Sequence, residues 1–216
     1  MPTRFAMTAL CAAALMLAAG AARAQGIADP FGDYVPGFSG SKLGDLDVLS
    51  ASVTYDPTND KFLFTGSFAA AVGTTAGGFY VWGVNRGAGT AGFAANGLPN
   101  VLFDAVVIFN QDGSARITGT NPATLLPPGS VQISGSTISG VVDGAFLPST
   151  GFAKTDYTWN LWPRDGTLAG FAAISDFAPD STNVAVALIP EPSTYALLAL
   201  GLGALGWRTR RLARAA

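Results

Sequence analysis

Across residues 25–189 apolar side chains recur at every second position, and no long stretch carries the three-to-four spacing of an amphipathic helix. "LSASVTY" sets Leu49, Ala51, Val53 and Tyr55 on one face and Ser50, Ser52 and Thr54 on the other. "DPTND" (56–60) is a turn cluster, and "KFLFTGSF" then aligns Phe62, Phe64 and Phe68, so residues 47–69 are predicted to form a hairpin. "GFYVWGVNR" (78–86) and "VLFDAVVIFN" (101–110) are apolar on both faces, as strands covered on each side are. "SARIT", "SVQISG", "STISGVV", "DYTWNLW" and "STNVAVAL" add short strands, and "NPATLLPPGS" (121–130) reads as an irregular loop. The class predicted is all-β: an antiparallel β-sandwich or jelly roll of about eight strands.

Charge is segregated along the chain. Residues 25–189 hold 13 Asp, no Glu, three Lys and three Arg, a net −7, whereas the tail from Pro190 sets Glu191 against four arginines. An acidic middle lacks the clustered cations that nucleic acid requires. Asp without Glu suits turns, because the short carboxylate bonds its own backbone. The chain has no histidine, and its one cysteine, Cys11, lies in the leader. Ser-His-Asp chemistry, thiol nucleophiles and imidazole or thiolate metal sites are therefore excluded from residues 25–189.

The two ends read as processing segments. Residues 1–24 have a basic start, an apolar run and small residues before a cut between Ala24 and Gln25, the pattern of a secretory signal peptide. Its expected partners are the Sec machinery and signal peptidase. At the other end, Pro190, Glu191 and Pro192 break regular structure. "YALLALGLGALGW" (195–207) is 13 residues, about 20 Å as helix against a bilayer core of ~30 Å. Arg208, Arg210, Arg211 and Arg214 follow, placed to stay on the cytoplasmic side of a short transmembrane helix. The domains expected are thus 1–24, 25–189 and 190–216.

Two groups in the middle are candidate sites. Trp82, Tyr157, Trp159 and Trp162, with Tyr80, offer flat rings for sugar stacking, set against the alternative that they are core. Three aspartate pairs, Asp45 with Asp47, Asp56 with Asp60 and Asp176 with Asp180, offer oxygen ligands for Ca²⁺. None has a known calcium-loop spacing, so turn chemistry is the expectation, with no cofactor required and no residue assigned as a metal ligand. No catalytic residue is assigned. The alternatives are a polysaccharide hydrolase using two Asp, which requires a carboxylate pair flanking a sugar, or a Ca²⁺-dependent adhesion or binding module.

Two resemblances add to this reading. The tail "PEPSTYALLALGLGALGWRTRRLARAA" closely resembles the PEP-CTERM sorting signal of Gram-negative bacteria, a module also labelled an ice-binding protein C-terminal domain. That resemblance implies an exosortase recognising Pro190, Glu191 and Pro192, and a transient membrane anchor at 195–207. The protein would pass through an inner-membrane intermediate to the cell surface or extracellular matrix, where exopolysaccharide and biofilm are the usual association. The flat Thr array that ice binding would use is not evident in the sequence. The middle, about 45–186, loosely resembles DOMON-like and family-nine carbohydrate-binding sandwiches through "VTYDPTNDKFLFTGSF", "FDAVVIFNQDG", "GSTISGVV" and "DFAPD", which implies a sandwich and leans toward sugar.

Overall fold

The structure, a computed structural model, describes residues 26–120, 122–189, 198–203 and 205–206. The signal segment with Ala24 and Gln25, the motif Pro190, Glu191 and Pro192, and Arg208, Arg210, Arg211 and Arg214 lie outside the described residues. Residues 198–203 and 205–206 are helical. Among the described residues no helix is long and apolar enough to cross a membrane.

Two six-stranded sheets pack face to face. The first has β1 (Ile27–Ala28), β2 (Val48–Asp56), β3 (Lys61–Phe68), β9 (Thr137–Asp143) and β8 (Val131–Ser134) in that order, with β12 (Ala187–Leu188) also on β2. The second runs β11 (Val184–Ala185), β10 (Thr158–Asp165), β4 (Gly78–Asn85), β5 (Ala105–Asn110), β6 (Ala115–Thr118), β7 (Thr124–Leu125). All pairs are antiparallel except β2 with β12. Eight strands have four residues or more, and the expected β-sandwich is what forms.

The hairpin over 47–69 is β2–β3, with Asp56 opposite Lys61. Phe62, Phe64 and Phe68 point inward as their spacing requires. Leu49 departs from expectation. A bulge between Val48 and Ser50 shifts the alternation, so Val48 and Ala51 are both buried and Leu49 is only half-buried. "STNVAVAL" is also not one strand. It changes sheets at the buried Val186, pairing first with β10 as β11 and then with β2 as β12. In the 121–130 loop, Thr124–Leu125 pairs with β6 before Pro127, Pro128 and Gly129 carry the chain to the other sheet.

The inter-sheet core is aromatic. Phe64 meets Trp82 and Phe109 edge-on at 6.0 and 6.2 Å, and Phe68 lies 4.4 Å from Tyr80. Gly140 makes room for one of these rings, since a Cβ there would come within 2.3 Å of Phe109. The second sheet has a further apolar layer on its outer side. There Trp162 sits among Phe93, Phe103 and Phe177 under the loops around 89–103 and 170–178. This explains why β4 and β5 are apolar on both faces.

These layers overturn the sugar-stacking expectation. Trp82, Tyr80, Tyr157 and Trp159 have no exposed surface, and Trp162 is 2% exposed. The first four fill the inter-sheet core. Trp162, although it points the other way from Trp159, is roofed by loops.

Candidate functional site

Most aspartates are used up by their own neighbourhood. Asp56 accepts from the Thr58 and Asn59 N–H groups, holding the β2–β3 turn. Asp60 accepts from the Tyr55 hydroxyl and pairs with Lys154 Nζ at 2.7 Å. Asp45 is buried and accepts from Gly73 and Thr75 N–H, the Tyr80 hydroxyl and Gln111 Nε2. Burial would raise its pKa, but these donors outweigh it and lower the carboxyl below its ordinary range. The pairs Asp45 with Asp47 and Asp56 with Asp60 therefore form no metal site.

A second network joins β4, β5 and the 148–151 loop. Arg86, 3% exposed, donates Nε to Asp104 Oδ1 at 3.0 Å, and its Nη groups reach the carbonyls of Pro148, Asp104 and Gly119. Asp104 also accepts from the Thr150 hydroxyl and the backbone N–H groups of Arg86 and Ala88. Burial pushes this carboxyl up, yet Thr150 and Arg86 hold it below the ordinary range.

Five further carboxylates gather at the Asp47 end of β2. Asp29, Asp33 and Asp180 bring oxygens within 4.8 Å of one another, and so do Asp33, Asp47 and Asp176. Asp47 and Asp176 are buried, at 0% and 2% exposure. Asp47 accepts from Gly32 N–H, and Asp176 accepts from Val48 and Phe177 N–H. Asp29 Oδ2 is buried, and no N–H or hydroxyl donor among the described residues reaches it. None of the three ion pairs among the described residues reaches this cluster. Burial, then the charge of Asp176, pushes Asp29 up to about 8. Burial, then the charges of Asp33 and Asp47, pushes Asp176 up to about 7 against two backbone donors. Asp47 is also raised, chiefly by burial. A cleft of about 290 Å³ opens onto Asp33, Asp176 and Asp180 between Pro36 and Phe171.

Sequence spacing singled out Asp176 and Asp180, but paired Asp47 with the wrong partner and missed Asp29 and Asp33. The only local signal for those two was "DPFGD", a Pro–Gly turn with an Asp at each end.

The outward face of the first sheet is polar and open. Strand register aligns Ser50, Ser67, Thr137 and Ser134 in one row, and Ser52, Thr65, Ser139 and Gln132 in the next. Beside them a cleft of about 440 Å³ is lined by Lys61, Leu63, Gln132, Ser139, Val141 and Asp143, with the Pro127–Pro128 loop as one wall.

Comparison with known families places a PEP-CTERM protein-sorting motif at residues 188–211. That motif marks the chain for exosortase sorting and for export to the cell surface or the extracellular space. No curated protein and no solved structure matches the chain.

Proposed function

We propose that the exported domain is a non-catalytic surface protein that associates with extracellular polysaccharide through the open face of its first sheet. Delivery rests on the sorting motif at 188–211. Polysaccharide association is supported by the two rows of hydroxyl and amide side chains beside half-exposed Leu63 and Val141, which suit a chain with both polar groups and C–H faces. Fractionation of cells making the parent, a Glu191→Ala variant and a chain lacking the tail from Pro190 tests delivery; unchanged location in both variants would overturn it. Co-sedimentation of the processed protein with the producer's exopolysaccharide tests association, with Ser139→Arg expected to abolish it. Release of reducing sugar in the same assay would favour the hydrolase alternative.

The carboxylate cluster favours a second role on the same protein, Ca²⁺ binding. The observation that carries it is the buried Asp29 Oδ2, which no donor reaches and which lies near other carboxylates that, among the described residues, have no cationic side chain paired to them. Ca²⁺ takes six to eight oxygens at roughly 2.3–2.6 Å and tolerates irregular geometry. Asp33, common to both triads, would supply a ligand together with Asp29 and Asp180 or with Asp47 and Asp176. Titration calorimetry with Ca²⁺ tests this, and no heat at millimolar concentration would refute it.

A further inference from the structure

The first and last strands of the sandwich close the same strand edge. Ile27 and Ala28 pair antiparallel with Ala51 and Ser50 of β2. Ala187 and Leu188 pair parallel with Thr54 and Tyr55 on the same edge. The last hydrogen bond of the sandwich is Ile189 N–H to the Tyr55 carbonyl at 3.0 Å. The matched sorting motif begins at Leu188, within β12, and its Pro-Glu-Pro starts at the next residue after Ile189, so no free chain separates the folded sheet from the segment an exosortase must take.

A peptide-cutting enzyme holds its substrate extended and uses backbone groups on both sides of the cut bond. Here the upstream groups are already committed to β2. The reach from Ile189 to the start of the apolar run at Tyr195 is at most about 20 Å, so the sandwich cannot draw far back while the tail is anchored.

We propose that β12 is a latch that must leave β2 before the motif is processed, a proposal that rests on the exosortase reading above. The structure divides the C-terminal segment accordingly. Val186 is buried, and its N–H donates to the Tyr157 carbonyl, fixing the chain to the core. Beyond it Leu188 and Ile189 are 50% and 43% exposed, so opening the latch uncovers little new apolar surface. The β2–β3 ladder and the β1 pair do not depend on it. Val186 is then the hinge, and the three residues after it form the moving strap.

The test uses the full chain in cells with its exosortase, reading the cleaved fraction by pulse-chase. Thr54→Cys with Ala187→Cys cross-links facing positions of the parallel pair. If the competent state is the open one, the oxidised lock lowers the cleavage rate by at least about tenfold, and reductant restores it. Adding a Gly/Ser linker of roughly six residues between Ile189 and Pro190, about 13 Å of reach, restores cleavage with the lock closed. A locked chain cleaved at the wild-type rate, or a block that the linker does not relieve, would overturn the latch. Glu191→Ala in the unlocked chain separates the two ideas. If it is cleaved normally, the exosortase reading itself fails; if it is not cleaved while the lock has no effect, only the latch fails.

Discussion

Asp104, half-buried, and Asp176, buried, are carboxylates of one sandwich, and their surroundings drive them in opposite directions. Asp104 has a guanidinium, a hydroxyl and two backbone donors, and is held ionised. Asp176 has two backbone donors and carboxylates for neighbours, and is pushed toward its protonated form. Burial costs both; the partners decide the outcome. The first arrangement is complete in the protein alone. The second gains most from a proton or from a cation supplied by the medium.

The largest expected effect comes from breaking the complete network. Asp104→Ala leaves Arg86 buried and unpaired and should cost about 3–5 kcal/mol in denaturant unfolding. A smaller effect separates the second network from the first. With Ca²⁺ at a hundredfold over its dissociation constant, the parent gains about 2.7 kcal/mol in the same measurement, and Asp29→Asn abolishes that gain while Asp104 variants keep theirs.

The pH dependence sharpens the contrast further, because the two networks have opposite signs. Asp29 and Asp176 bind protons more tightly folded than unfolded, so their contribution is present at acidic pH and lost as pH rises through about 8 for Asp29 and about 7 for Asp176. Asp104 binds its proton less tightly folded, so its contribution is present above the ordinary carboxylate range and lost as pH falls through its lowered value. Thermal melts of the metal-free parent should therefore fall off on both sides. Asp29→Asn should flatten the alkaline limb, by about 1–2 kcal/mol at pH 8, and leave the acid limb in place. The smallest effect is expected where partners matter least. Lys61 and Asp143 sit 3.7 Å apart with half-exposed side chains, and Lys61→Ala should change the unfolding free energy by no more than about 0.5 kcal/mol.

Much of the scaffold was legible along the chain. Phe62, Phe64 and Phe68 announced their inward face by spacing alone, and the turn at 56–60 followed from Asp and Pro. Trp162 was not legible. Its alternation with Trp159 correctly put it on the opposite face, but alternation does not show that loops fold over that face. Val186 is similar, since a period-two run says nothing of a change of sheet halfway. The hydroxyl rows of the first sheet were hidden because each row draws one residue from each of four strands.

The sequence by itself determined the strand-rich class and the address carried at 188–211, because backbone alternation and a linear motif are read within a few residues of chain. Only the tertiary structure decided which carboxylates meet, which aromatics are buried and which sheet face stays open. Asp47 lies two residues from Asp45, yet Asp45 faces Tyr80 and Gln111 while Asp47 faces Asp33 and Asp176. Charge and burial act through space, and packing two sheets together brings residues more than a hundred positions apart into contact.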